Sequence, residues 1–271
     1  MVTHTHQGTA VVTGASTGIG AIYADRLARR GYDLILIARD RAKLDKLARE
    51  ITDGTRRSVE VIVADLGNKK DLGGVEAKIR SDSSITLLVN NAGVASAAPL
   101  LDSNVDQMEA MIALNVTALT RLTYAAVPGF VARGTGAVIN IASIVSIIPE
   151  ALNGVYGASK AYVLGFSQSL QHELAGKGVR IQAVMPGATR TPLWALAGVD
   201  VDVAMKGRVM DAGDMVDAAL AGFDQGEFAT IPALPDIAEW NAFESARSAM
   251  RPNLSLAEPA RRYGVLTRSA A

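Results

Sequence analysis

Short, largely apolar runs alternate with longer amphipathic stretches along most of the chain. Thr9 to Thr13, Leu34 to Ala38, Val59 to Ala64, Thr86 to Val89, Ala137 to Ile141 and Val179 to Val184 have strand length and little polar alternation. Strands buried on both faces read this way, as in parallel sheets covered by helices. Between them lie helical patterns. The first runs from a glycine-rich turn to Arg30 and is stopped by Gly31. The second starts after Asp40, a good N-cap, and puts Leu44, Leu47, Ala48 and Ile51 on one face. Lys69 to Arg80 reads as a polar helix, and Val105 to Ala132 and Val155 to Ala175 as long ones. Repeated strand–helix–strand units with right-handed crossovers predict an α/β fold, a doubly wound parallel sheet with helices on both faces.

From Thr191 onward the pattern changes. It predicts helix to about Gly226, a short strand from Phe228 to Ile231, and a last stretch carrying Pro232, Pro235, Pro252 and Pro259. No linker or repeat interrupts the chain, so residues 1–271 read as a single domain, with 190–271 forming a substrate loop and C-terminal elements.

A doubly wound sheet binds ligands outside the carboxyl ends of its strands. Each unusual polar or glycine cluster does follow a strand: Gly14 to Gly20, Arg39, Asp65, Asn90 to Gly93, Ser143 and Pro186-Gly187. Six loops at one sheet edge predict one site.

Composition narrows the partners. Lys+Arg and Asp+Glu both number 27, which gives no electrostatic reason to expect nucleic acid or an anionic membrane. No run of 18 apolar residues occurs, so no membrane span is expected. The absence of cysteine excludes thiolate metal sites and cysteine nucleophiles and suits a cytoplasmic location. The polar start, Met1 to Gly8, has no apolar stretch of signal-peptide length. His4 and His6 there, and His172 next to Glu173, are the only metal-like features. Adjacent helix positions point in different directions, so no metal site is expected.

Gly14, Gly18 and Gly20 stand in Thr13-Gly14-Ala15-Ser16-Thr17-Gly18-Ile19-Gly20, between a strand and a helix. Glycines let backbone approach a pyrophosphate, and the helix start aims N–H groups and a positive dipole end at the anion. The spacing is TGxxxGxG. Further along come Asn90-Asn91-Ala92-Gly93, Asn115, Ser143, Tyr156-Gly157-Ala158-Ser159-Lys160 and Pro186-Gly187, in that order. On these motifs the chain resembles the short-chain dehydrogenase/reductase family over residues 9 to 192. The resemblance implies a Rossmann-type fold, a nicotinamide cofactor, hydride exchange between an alcohol and a carbonyl, and a homodimer or homotetramer. It also implies cofactor contacts from Gly14, Ser16, Thr17, Gly18, Ile19, Gly20, Asp65, Leu66, Asn91, Ala92, Gly93, Tyr156, Lys160, Pro186, Gly187, Thr189 and Thr191. Asp65 could also serve as a helix N-cap.

Ala38 stands where an NAD-using relative would carry an acidic residue, and Arg39 follows. An arginine can fork a 2′-phosphate, whereas a carboxylate would repel it. A surface arginine stacked on adenine or paired with Asp40 is the other reading of Arg39. NADP(H) is therefore expected in preference to NAD(H).

Tyr156 and Lys160, spaced i and i+4, project from one helix face. A free phenol has a pKa near ~10, and a nearby ammonium favours the phenolate. Tyr156 is thus the expected acid/base and Lys160 its partner. The resemblance makes Ser143 a donor to the substrate oxygen and gives Asn115 a water that links Lys160 to solvent. Ser96, Ile144, Val145, Pro149, Leu152, Leu193 and Trp194 are the expected substrate pocket. They are mostly apolar, and Trp194 with the methionines after it could form a lid. The rival functions are a non-catalytic NADP(H) sensor or scaffold, and an epimerase or dehydratase reusing the site.

Overall fold

The computed structural model describes residues 6–196 and 198–265, so His4 lies outside the described residues. The chain divides into two compact units, 1–232 and 233–271.

The first unit holds seven strands: β1 (Thr9–Thr13), β2 (Asp33–Ala38), β3 (Val59–Val63), β4 (Ile85–Asn90), β5 (Gly136–Ile141), β6 (Val179–Val184) and β7 (Ala229–Thr230). They form one sheet in the order β3-β2-β1-β4-β5-β6-β7. Every pairing is parallel. The order turns back between β1 and β4, the point at which a doubly wound sheet opens a crevice for ligands.

Helices α1 (Gly18–Arg29), α2 (Arg41–Thr55) and α3 (Lys69–Ser81) follow the first three strands. The predicted cap at Asp40 forms: its carboxylate accepts from Lys43 N at 3.1 Å. Gly31, at φ +99°, ends the first crossover as expected. The cap of α3 is a correction. Asn68, not Asp65, accepts from Lys70 and Asp71, because Asp65 turns its carboxylate to Gly67 N at 2.9 Å.

The predicted long helix after β4 is three consecutive segments: α4 (Val105–Ile112), a π-helical stretch at Ala113–Ala118, and α5 (Leu119–Arg133). By length and apolar character this run would suffice to cross a membrane. In this fold Ala118, Leu122, Ala125, Ala126 and Phe130 carry it into the core instead. Helix α6 (Gly154–Glu173) lies beyond β5. One sheet face packs against the α1, α2 and later helical residues, the other against α3, α5 and α6.

The stretch after β6, predicted as one helical region, is broken into α7 (Pro192–Leu196), α8 (Val201–Ala204) and α9 (Ala212–Gln225). Its base is pinched by a parallel bridge between Thr189 and Met210. The second unit contains α10 (Ile237–Ala249), which the sequence reading left unassigned. The prolines that obscured it bracket the helix, and Asp236 caps it through Ala238 N at 2.8 Å.

Candidate active site

The glycine loop after β1 is built for close approach. Gly14 and Gly18 take φ of +65° and +57°, a region that a Cβ makes costly. A Cβ on Gly20 would sit 2.4 Å from Gly14 O. The helix that starts here has no acidic residue in its first turn, and Thr17 at its N-cap position makes no side-chain cap. Its first N–H groups, with their positive dipole end, are therefore free to meet an anion. This cradle fits a pyrophosphate.

The loop after β4 is fastened to it. Thr13 Oγ1 accepts from Asn91 N at 2.9 Å and Ala92 N at 3.0 Å. Asn91 Nδ2 donates to Thr13 O at 2.8 Å and Gly14 O at 3.2 Å. Sequence reading gave Thr13 no role, though it is the first residue of the TGxxxGxG spacing. Asn90 is a strand residue whose amide donates to Thr123 and Asn140 within the core, away from the loops. Thr191 lies against Gly18, 3.5 Å from where a Cβ would be, so the post-β6 loop also meets the glycine loop. Ser16 and Ile19 share that loop and first turn.

At the end of β2, Arg39 is exposed and makes no hydrogen bond or ion pair among the described residues. Asp40 is engaged by Lys43, 3.1 Å from its Nζ, which removes the expected alternative of an Arg39–Asp40 pair. Asp65 and the buried Leu66 end the neighbouring β3 loop.

Three separate segments converge at the reacting end. Ser143, extended and buried at the end of β5, donates to Pro186 O at 3.3 Å, and Ile144 N donates to the same oxygen at 3.0 Å. The Pro186-Gly187 turn is thereby locked to the serine. Burial pushes the Tyr156 phenol upward, and the Ser143 hydroxyl beside it works in the opposite direction. Lys160, on the same helix, is buried; its ammonium donates to Ile141 O at 2.8 Å and sits 5.9 Å from the Tyr156 ring centroid. Desolvation lowers its pKa from 10.5 to about 8. Without the cofactor's charge, burial in an apolar cluster outweighs the Ser143 hydroxyl and leaves the phenol above its ordinary value.

Asn115 lies in the π-helical stretch with its amide fully used. Its Oδ1 accepts from Val94 N and its Nδ2 donates to Val94 O, both at 2.9 Å, and to Ser159 Oγ at 3.1 Å. These protein groups occupy both ends of the side-chain amide. Gly93 leaves the room for this: a Cβ there would stand 3.1 Å from Asn115 Oδ1 and 3.7 Å from Lys160 Nζ.

The expected pocket is partly assembled around the phenol. Val145 and Leu152 pack with Tyr156, joined by Met108, Met111, Val94, Ala95 and Val155. All five were missed; Met108, Met111, Val94 and Ala95 reach the tyrosine only through the fold, while Val155 adjoins it in sequence. Ile144 lies near Gly187, and Pro149 abuts Gly157. Trp194 Nε1 donates to Thr189 O at 2.9 Å, which ties α7 back to the loop after β6. Leu193 stands outside the tyrosine cluster, and Ser96 Oγ is used locally, accepting from Ala98 N.

A family model for short chain dehydrogenases matches residues 8–200, the stretch that carries all of these groups. The chain belongs to the short-chain dehydrogenase family. It is 34% identical to an uncharacterized oxidoreductase of Staphylococcus saprophyticus, over 80% of this chain and 91% of that one. A solved short-chain dehydrogenase from Sphingobium yanoikuyae, in complex with NADPH, is 46% identical, with a TM-score of 0.91 over 94% of this chain and all of the other. The bulky-bulky ketone specific alcohol dehydrogenase from Comamonas testosteroni is 42% identical, with a TM-score of 0.87 over 96% of this chain and 99% of that one. This short-chain dehydrogenase is accordingly an oxidoreductase of a family that acts on secondary alcohols and ketones.

Proposed function

We propose that this protein reduces bulky, apolar ketones, and oxidises the corresponding secondary alcohols, with NADP(H) in preference to NAD(H). The carrying observation is the meeting of Ser143, Tyr156 and Lys160 from two loop-bounded elements inside an apolar wall of valine, leucine and methionine. When bound, the nicotinamide supplies the hydride. The protein does the rest. Ser143 Oγ donates to the carbonyl oxygen and stabilises charge as it develops there. Tyr156 Oη passes its proton to that oxygen. A phenol kept protonated by burial is the acid that carbonyl reduction needs. Lys160 holds a positive charge beside the phenolate left behind.

Arg39 supports the cofactor preference, since its guanidinium is exposed and uncommitted at the β2 end, beside Ala38. The apolar tyrosine cluster supports a substrate with two large apolar substituents, as does the name of the Comamonas relative. Self-association is supported by an aromatic stack across α5 and α6, in which Tyr124, 66% exposed, and Tyr162 both lie against Phe166.

The test is NADPH consumption with a ketone carrying phenyl and butyl groups, set against acetone, in the parent and in Tyr156→Phe. The expected result is turnover of the larger ketone only, reduced at least about a thousandfold in the variant, which keeps its NADPH affinity. Tight NADPH binding with no turnover of any ketone would return the chain to the sensor reading. Product without net cofactor change would point to epimerisation or dehydration.

A further inference from the structure

We infer that Ser159 is a positioning residue for the reaction, holding the Asn115 turn in register with the helix that carries Tyr156 and Lys160. Ser159 is buried, three residues after Tyr156 and one before Lys160. Its hydroxyl is used twice. It donates to Tyr156 O at 2.8 Å and accepts from Asn115 Nδ2 at 3.1 Å. One hydroxyl therefore joins the backbone of the acid/base residue to the side chain of a residue 44 positions away.

The consequences run outward from that hydroxyl. Asn115 spends its other amide groups on both backbone groups of Val94, in the manner of a strand pair. Val94 follows Gly93, whose missing Cβ lets Asn115 Oδ1 and Lys160 Nζ share one small space. The Asn115 segment is π-helical, so its carbonyls are displaced from the regular ladder. Ser159 is the side-chain contact that references Asn115 itself to α6. Without it, one Asn115 N–H is left buried beside the ammonium with no acceptor, and the amide is driven to reorient.

This inference rests on the proposed reaction for its kinetic arm but not for its structural one. The experiment compares the full-length parent with Ser159→Ala, Asn115→Ala and the double variant. Two readings are taken: reduction of the phenyl butyl ketone with NADPH across pH, and hydrogen exchange of the Val94 amide without cofactor. In Ser159→Ala the expected results are a kcat about tenfold lower with KM for NADPH within about twofold, and a shifted pH profile. The Val94 amide should exchange about tenfold faster, with β1 and β2 amides unchanged. Placing Ser159→Ala in the Asn115→Ala background should lower kcat by less than about twofold more, since the two act as one unit.

A parent-like kcat and parent-like Val94 exchange in Ser159→Ala overturn the inference. So do losses that multiply in the double variant, or faster exchange across the whole sheet, which would mark a packing role. If the parent reduces no ketone, the functional reading falls, and Val94 exchange still decides the role of Ser159.

Discussion

Replacing Lys160 with methionine should abolish turnover and yet make the free protein more stable at neutral pH. The ammonium is buried, and the structure shows it donating to Ile141 O. Desolvation brings its pKa from 10.5 down to about 8. At about 1.4 kcal/mol per unit, that fall corresponds to about 3 kcal/mol of native-state cost. The sign follows from proton binding. Between pH 8 and 10.5 the unfolded chain holds the proton and the native chain does not, so stability rises with pH across that window. Below it both forms are protonated and the full cost is present. Above it the cost is gone. Methionine fills similar volume without charge, and losing the bond to Ile141 O offsets about 1 kcal/mol. Lys160→Met should therefore gain about 2 kcal/mol near pH 7, and the gain should shrink and then reverse toward pH 10.5. Urea unfolding of both proteins without cofactor, at several pH values, measures the difference directly, and groups common to both cancel. A variant less stable than the parent near neutrality, or a gap that stays flat across the window, refutes the reasoning.

Two more predictions concern the cofactor end. Gly20→Ala puts a methyl 2.4 Å from Gly14 O and 2.5 Å from Asn91 Nδ2, so backbone must move and the Thr13–Asn91 fastening must strain. It should cost about 1–3 kcal/mol of stability and weaken NADPH at least about tenfold by fluorescence titration, whereas Gly74→Ala, with open space around it in α3, should stabilise by about 0.5–1 kcal/mol. Equal behaviour of the two variants would contradict the close-approach argument. Arg39→Asp should weaken NADPH about tenfold or more while sparing NADH, read from KM for each cofactor, and an equal loss with both would remove the 2′-phosphate role.

All seven strands and most helices were legible in the sequence because doubly buried strands and amphipathic helices carry local patterns. β6 is found where its apolar run predicts it, at Val179–Val184. The cap at Asp40 and the stop at Gly31 were equally local. The π-helical turn at Asn115 was not, since its apolar periodicity matches that of the helix around it. Helix α10 was hidden by the prolines on either side.

The chain order of glycines, asparagines, serine, tyrosine and lysine determined, by itself, which residues could serve one chemistry. Those residue types carry the needed donors, acid and charge wherever they stand. Only the tertiary structure decided how they meet. Strand order fastened the β4 loop to the glycine loop through Thr13. Packing surrounded Tyr156 with Met108, Met111 and Val145, which raised its phenol, and it buried Lys160, which lowered the ammonium. A pKa depends on the solvent and charges around a group, and no spacing along a chain specifies those until distant segments close over it.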